Sequence, residues 1–403
     1  MHVHAAVSWE KKEGGHGLRP VSIVLLSYNT VAYTRLCIES IRTYTRPGTY
    51  EIIVVDNGSE DASLPWLRAQ ADVRLIENGR NRGFPAACNQ GMRAAAAGND
   101  ILLLNSDTIV SPRWLENLCR ALASRPEVGA VGCVTNACSH FQQIPVNYDG
   151  IEAMLRFADG FNVSRPDAWQ PWLTLVGFCL LIRREAYEAI GGLDEVFSPG
   201  NFEDDDYCLR LRDAGYTCLL CQDTFIHHFG SVSFRKGRTP EEAAEKEAKF
   251  RALTTRNERI LREKYRLPLD WNNLHGLVQN ISDDELASGR RLLIVNAFAG
   301  IDVYVLRAAH PGLIAEGLTF DRPSALRTRS DIGMLYAPQR AEAIDQALGT
   351  RRYDTIVLLG DVRRLRGEAS IRTCLRAHLA EEGTLYFTDM VHAYQQRKYG
   401  NGK

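Results

Sequence analysis

The chain has 403 residues, 45% hydrophobic and 24% charged, with 48 basic against 49 acidic side chains and a net charge of −1. This is ordinary globular composition for one to three domains. It excludes a polybasic nucleic-acid binder and a low-complexity disordered chain, and no apolar run reaches the ~18 residues that a helical bilayer span requires.

Residues 1–19 lack the apolar core of a signal peptide and read as a flexible leader. Ten cysteines stand singly, mostly in apolar runs such as "VGFCLLI", which fits a reducing compartment. The expected location is cytoplasmic, with peripheral attachment at the inner face of the membrane left open. Cys218 and Cys221 form one CxxC in a strand-like run; without a second CxxC they make a weak case for zinc or redox chemistry.

From residue 21 to 135, strand and helix signals alternate. "VSIVLLSYN", "YEIIVVDNGSED", "VRLIENG" and "DILLLNSDTIV" read as strands; "TRLCIESIRTY", "ASLPWLRAQA" and "AACNQGMRAAAAG" read as helices. The alternation predicts a mostly parallel sheet flanked by helices. Ligands bind such sheets beyond the carboxyl ends of the strands, where Tyr28-Asn29, Asp56-Asn57 and Asn105-Ser106-Asp107 cluster.

Residues 136–200 are less regular. "FEDDDYCLRLRDAGY" then sets Glu203, Asp204, Asp205 and Asp206 before a helical pattern, which taken alone is an acidic first turn complementing the helix dipole. "YTCLLCQDTFIHHFGSVSF" predicts a strand running into a loop that carries His227 and His228. A charged helix with a Thr-Pro start covers 239–265. From about 286, "RRLLIVNAFAG", "RYDTIVLLGDV" and "EGTLYFTD" predict a second, smaller α/β unit. The expected organisation is a leader to 19, a first domain over 20–238, a helical extension and linker over 239–285, and a Rossmann-like unit over 286–403.

Asp107, at a strand end, suits a hard divalent cation, and an imidazole from His228 would favour Mn2+ over Mg2+. Asp107 could equally cap a turn, and a lone histidine is more often a hydrogen-bonded structural residue.

Seven segments in order, "VSIVLLSYNT", "EIIVVDNGSED", "ENGRNRGFPAACNQGMRAA", "DILLLNSDTIV", "VGFCLLIRREAYEAIGGLDEVF", "FEDDDYCLRLRDAGY" and "HFGSVSF", resemble glycosyltransferase family 2 over roughly residues 20–235. The likeness is to inverting enzymes of GT-A fold, in the branch of bacterial rhamnosyl- and galactofuranosyl-transferases. It implies an inverting, metal-dependent transfer of a sugar from a nucleotide-diphosphate donor to an acceptor hydroxyl, in surface polysaccharide or glycoconjugate synthesis. The acceptor would be a saccharide, a lipid-linked saccharide or a protein side chain.

Carried over residue by residue, the resemblance puts Ser27, Tyr28 and Asn29 beside the nucleoside and Asp56 on its base. Asn81, Gly83 and Phe84 form the loop next to the nucleotide. Asp107 matches the last acid of a DxD-type motif, with Asn105 where many members have the first Asp. His228 fits the later histidine better than His227, judged by its spacing to Ser233. Asp204 is the expected base, with a pKa raised by its neighbours, and Glu203 would bind acceptor hydroxyls. Asp205 is expected to be solvated, and Asp206 to pair with Arg210. A nucleotidyltransferase and a non-catalytic carbohydrate-binding scaffold are the alternatives; the first would want a glycine-rich basic loop that "LLSYNTVAYTR" lacks.

The last region more weakly resembles an S-adenosylmethionine-dependent methyltransferase. "LLIVNAFAG" offers only Gly300 and no GxG, so a degenerate scaffold is expected there.

Overall fold

The computed structural model describes residues 18–139, 141–230, 240–267, 271, 281–360 and 366–388. The chain forms two compact units: one runs to Trp169 and resumes over Thr174–Asn257, and the other takes Gln170–Leu173 and everything from Glu258 on.

In the first unit, apolar runs become strands β1 (Val21–Ser27), β2 (Tyr50–Asp56), β3 (Val73–Glu77) and β4 (Asp100–Asn105), followed by the short β5 (Thr108–Ile109) and then by β6 (Val128–Val134). Helices α1 (Val31–Tyr44), α2 (Ser63–Arg68), α3 (Phe84–Ala94) and α4 (Trp114–Ala123) connect them. The irregular region resolves into α5 (Gly150–Phe161), β7 (Trp169–Trp172), β8 (Cys179–Ile182) and α6 (Arg184–Ile190). It is followed by α7 (Glu203–Asp213), β9 (Thr217–Phe225) and β10 (His227–His228). The main sheet has the order β3-β2-β1-β4-β8-β6-β9-β7. Its β3-β2-β1-β4 half is parallel, as expected, whereas β8 lies antiparallel between β4 and β6. Every residue of β4 from Ile101 to Leu104 is buried, as a strand covered on both faces requires.

Cys218 and Cys221 are both buried in β9. Residues three apart on a strand face opposite sides, so the two thiols do not converge. Cys218 meets Cys208, and Cys221 neighbours Cys179.

Helix α8 (Pro240–Tyr265) is the expected charged helix. One division between the units falls inside it, at Asn257. The reason is local: the buried Asn257 amide nitrogen lies 2.8–2.9 Å from the carbonyls of Phe197, Gly200 and Asn201, and Arg256 donates to those of Val196 and Ser198. That part of the helix is thereby tied to the loop leading into α7.

The second unit comprises β11 (Arg291–Val295), α9 (Ile301–Ala309), β12 (Ile314–Thr319), α10 (Arg322–Ile332) and β13 (Leu335–Tyr336). It continues with α11 (Ala341–Leu348), β14 (Tyr353–Leu359), α12 (Glu368–Ala377) and β15 (Leu379–Thr388). Its five strands are all parallel, in the order β13-β12-β11-β14-β15, over a core that includes Leu293, Leu318, Ile344, Ile356 and Leu375. At Gly300, the one glycine of "NAFAG", an added Cβ would stand 2.3 Å from the Met334 methyl; the chain's own side chain fills that space.

Candidate active site

Ser27 and Asp56 are register partners at the adjoining carboxyl ends of β1 and β2. Both are buried. Asp56 Oδ1 accepts from the N–H groups of Gly58 and Ser59 at 3.2 and 3.0 Å, while its Oδ2 and the Ser27 hydroxyl meet no hydrogen-bond partner. Buried polar atoms are ordinarily paired, so two orphans on neighbouring strand ends mark a place for ligand hydrogen bonds. The Tyr28 ring is 36% exposed beside them.

Asn29 sits at φ 55°, with its Oδ1 accepting from Glu60 and Asp61; its side chain holds the loop after β2. Asn81 likewise braces its own loop, accepting from Gly83 N–H at 2.8 Å and from the Asn57 amide at 2.9 Å. Gly83 has φ 82°, and a Cβ there would lie 3.1 Å from Pro199 Cα. That close approach lets Phe84 N–H reach the Pro199 carbonyl at 2.8 Å, joining the loop before α3 to the loop before α7.

The two histidines do not lie in a loop. They form β10, which pairs antiparallel with β5 so that His228 stands opposite Thr108. Alternation along a strand turns them to opposite sides. His227 Nδ1 faces the Tyr148 hydroxyl at 2.7 Å, and burial lowers its pKa. His228 Nε2 lies 3.2 Å from Asp107 Oδ1 and 3.4 Å from the Asn105 amide nitrogen. The expected spacing to Ser233 falls outside the described residues.

The His228 backbone is clamped on both polar groups by the Asn136 amide, and its Nδ1 lies 2.7 Å from the Ala137 carbonyl. Only an N–H suits a carbonyl, so Nδ1 carries a proton, and Nε2 faces Asp107 either with a second proton or with its lone pair. Two electron-rich atoms at 3.2 Å repel unless a positive centre lies between them. An imidazole fixed through its far nitrogen, with a carboxylate and a neutral amide alongside, fits a divalent cation.

The four acids divide unevenly. Glu203, Asp205 and Asp206 are buried, and only Asp204 keeps partial exposure. Asp205, expected to be solvated, is 2% exposed because α7 turns it into the protein. Asp206 pairs with Arg210 at 2.8 Å, as expected; Arg210 also holds the carbonyls of Ile190 and Gly192. Glu203 Oε2 is buried with no hydrogen-bond partner, and burial, then the neighbouring Asp204, push this carboxyl well above the usual range. Burial sets Glu203 apart from the partly open Asp204 beside it. Asp204 is oriented by two backbone donors, Gly177 N–H on Oδ2 at 2.8 Å and Asp205 N–H on Oδ1 at 3.0 Å.

One short turn ties these groups together. Gly177 holds Asp204; the next residue, Phe178, stacks on His228 with centroids 5.2 Å apart, and its carbonyl accepts from Asn105 N–H at 2.8 Å. Asp204 is thus linked through Gly177–Phe178 to the Asn105–Asp107–His228 group.

Residues 22–191 match the family described as Glycosyl transferase family 2. The chain carries a glycosyltransferase family 2 domain. The O-antigen biosynthesis protein RfbC of Myxococcus xanthus is 29% identical over 253 residues, 59% of this chain and 19% of that protein. The N-acetylglucosaminyl-diphospho-decaprenol L-rhamnosyltransferase of Mycobacterium tuberculosis is 25% identical over 285 residues, 62% of this chain and 87% of that protein. The mannosyltransferase PcManGT from Pyrobaculum calidifontis, in complex with GDP-Man and Mn2+, gives a TM-score of 0.40 at 18% identity, covering 72% of this chain and 86% of that one. The chain matches only 26%, 19% and 32% of the length of three of its curated relatives.

Reading the family 2 segments alone missed Asn136, Phe178 and Asn257. Phe178 lay in a quoted motif but read as one more apolar strand residue. The asparagines carried no signal, because their role is to bind backbone remote in sequence. No helix among the described residues is long and apolar enough to cross a membrane.

Proposed function

We propose that the first unit is an inverting, metal-dependent glycosyltransferase that moves a sugar from a nucleotide-diphosphate donor to an acceptor hydroxyl in bacterial surface polysaccharide or glycoconjugate synthesis. The observation carrying this reading is the convergence of Asp204 with Asn105, Asp107 and His228 around the Gly177–Phe178 turn. The names of the relatives, O-antigen synthesis and rhamnosyl transfer to a lipid-linked acceptor, support the direction.

Asp56 Oδ2 and the Ser27 hydroxyl would meet the base and ribose of the donor, with the exposed Tyr28 ring alongside and Asn29, Asn81, Gly83 and Phe84 holding the two loops in place. Asp107 and His228 would hold Mn2+ or Mg2+, with Asn105 as a neutral neighbour. Such an ion, when bound, offsets charge growing on the departing diphosphate. Asp204 takes the proton of the acceptor hydroxyl; that oxygen bonds to the anomeric carbon as the bond to the diphosphate oxygen breaks, and the configuration inverts. The two N–H donors hold the Asp204 carboxylate in one orientation, so it is positioned before the acceptor arrives. Glu203, beside the base, would bind acceptor hydroxyls; its carboxyl is pushed up by burial and by Asp204.

Calorimetry with UDP and dTDP, with and without Mn2+, followed by a screen of nucleotide sugars for hydrolysis, tests the reading. Metal-dependent binding of one nucleotide and turnover of one sugar are expected. Binding indifferent to both nucleotide and metal would leave a non-catalytic scaffold instead.

A further inference from the structure

The second unit contains a cluster that the transferase chemistry does not use. Asp345 lies in the last turn of α11, Cys374 in the last turn of α12, and His378 caps α12. One ligand atom from each lies within 4.8 Å of the others. Cys374 and His378 are four apart, so one helical turn brings both side chains to the same side. His378 is 2% exposed; Asp345 stands open to solvent.

The histidine is wired for a cation. Its Nδ1 lies 3.0 Å from the Arg351 carbonyl, which makes that nitrogen the N–H donor, and its Nε2 lies 3.0 Å from Asp345 Oδ1. A lone pair there would face a carboxylate, so either a second proton or a metal ion must lie between. A thiol on the same side is what a metal uses and a proton does not.

We propose that Asp345, Cys374 and His378 form a metal site for a thiolate-accepting divalent ion of the zinc class, with water as the fourth ligand. The N/S/O donor set excludes Mg2+ and Ca2+ as preferred ions. In a tetrahedral zinc site, bond lengths of about 2.0–2.3 Å put ligand atoms roughly 3.3–3.8 Å apart, so closure needs side-chain shifts of about 1 Å, which the exposed Asp345 allows. On binding, the Cys374 S–H bond breaks, the sulfur keeps the electron pair as the metal–sulfur bond forms, and the proton leaves to solvent. The His378 carbonyl accepts from Tyr353 N–H, the first residue of β14, so the ion would staple α11 to α12 at the amino ends of the strands.

The test is a Co2+ titration of the full chain after chelator treatment. A thiolate-to-cobalt charge-transfer band is expected, displaced by Zn2+ and lost in Cys374→Ser. The surface substitution Asp345→Asn should keep the fold and weaken Co2+ binding about tenfold or more, which decides the matter even if Cys374→Ser folds poorly. Asp107→Asn should leave the band intact. No band in the parent chain, an unchanged band in Cys374→Ser, or unchanged affinity in Asp345→Asn would each overturn the site.

Discussion

Two histidines, one in each unit, are wired alike: Nδ1 donates to a backbone carbonyl and Nε2 faces a carboxylate, for His228 with Ala137 and Asp107 and for His378 with Arg351 and Asp345. Their surroundings differ. His228 lies beyond the carboxyl end of β4, among oxygen and amide groups, against an aromatic ring and within one turn of an oriented aspartate. His378 lies at the amino end of β14, beside a thiol. In parallel sheets substrates gather at carboxyl ends. The same imidazole wiring is therefore read as a catalytic ion site in one unit and a structural staple in the other, and the hardness of the donors predicts Mn2+ or Mg2+ for the first and zinc for the second.

The largest expected effect separates chemistry from both ion sites. Asp204→Asn should cut turnover by roughly 10²–10⁴-fold while nucleotide affinity, read by calorimetry, stays within about threefold, under ~1 kcal/mol. Retained turnover would remove Asp204 as the base. Next, Asp107→Ala or His228→Ala should weaken Mn2+-dependent nucleotide binding by about 10–100-fold and leave the cobalt–thiolate band untouched; a loss of that band would show that the two sites are not independent.

Asn257→Ala should destabilise the first unit by about 1–3 kcal/mol, since buried carbonyls lose their donor, and should lower turnover by loosening the approach to α7. Thermal unfolding together with turnover checks it; a stable variant with full activity would show that the loop holds itself.

The smallest effect concerns Glu203. Its folded pKa lies above its ordinary 4.5, so the folded state keeps a proton that the unfolded chain releases. The stability this supplies is whole below about pH 4.5 and drains away as pH rises through the folded value. Glu203→Gln should therefore gain on the parent as pH rises, by roughly 2–4 °C in Tm for each 1 kcal/mol recovered, with no gain in acid. A difference that does not change with pH would mean that Glu203 is ionised in the fold.

Apolar runs ending in polar clusters were enough to locate β1, β2 and β4 and the residues at their carboxyl ends, because strand formation and burial are read out of local spacing. The same reasoning failed for Asp205: adjacent letters of identical charge met different fates, and Asp205 went inside while Asp204 stayed partly open. It also put the histidines in a loop, since a two-residue strand has no periodicity to detect. Its pairing with β5 depends on a partner more than a hundred residues earlier.

By itself the amino-acid sequence determined the α/β class, the second unit, the strand-end polar groups and the family, all of which follow from short-range patterns and ordered motifs. Only the tertiary structure decided which acid is oriented and open, which histidine faces Asp107, and that Asp345, Cys374 and His378 meet. Those outcomes depend on strand order and helix packing, which join residues far apart along the chain and leave no local pattern at either end.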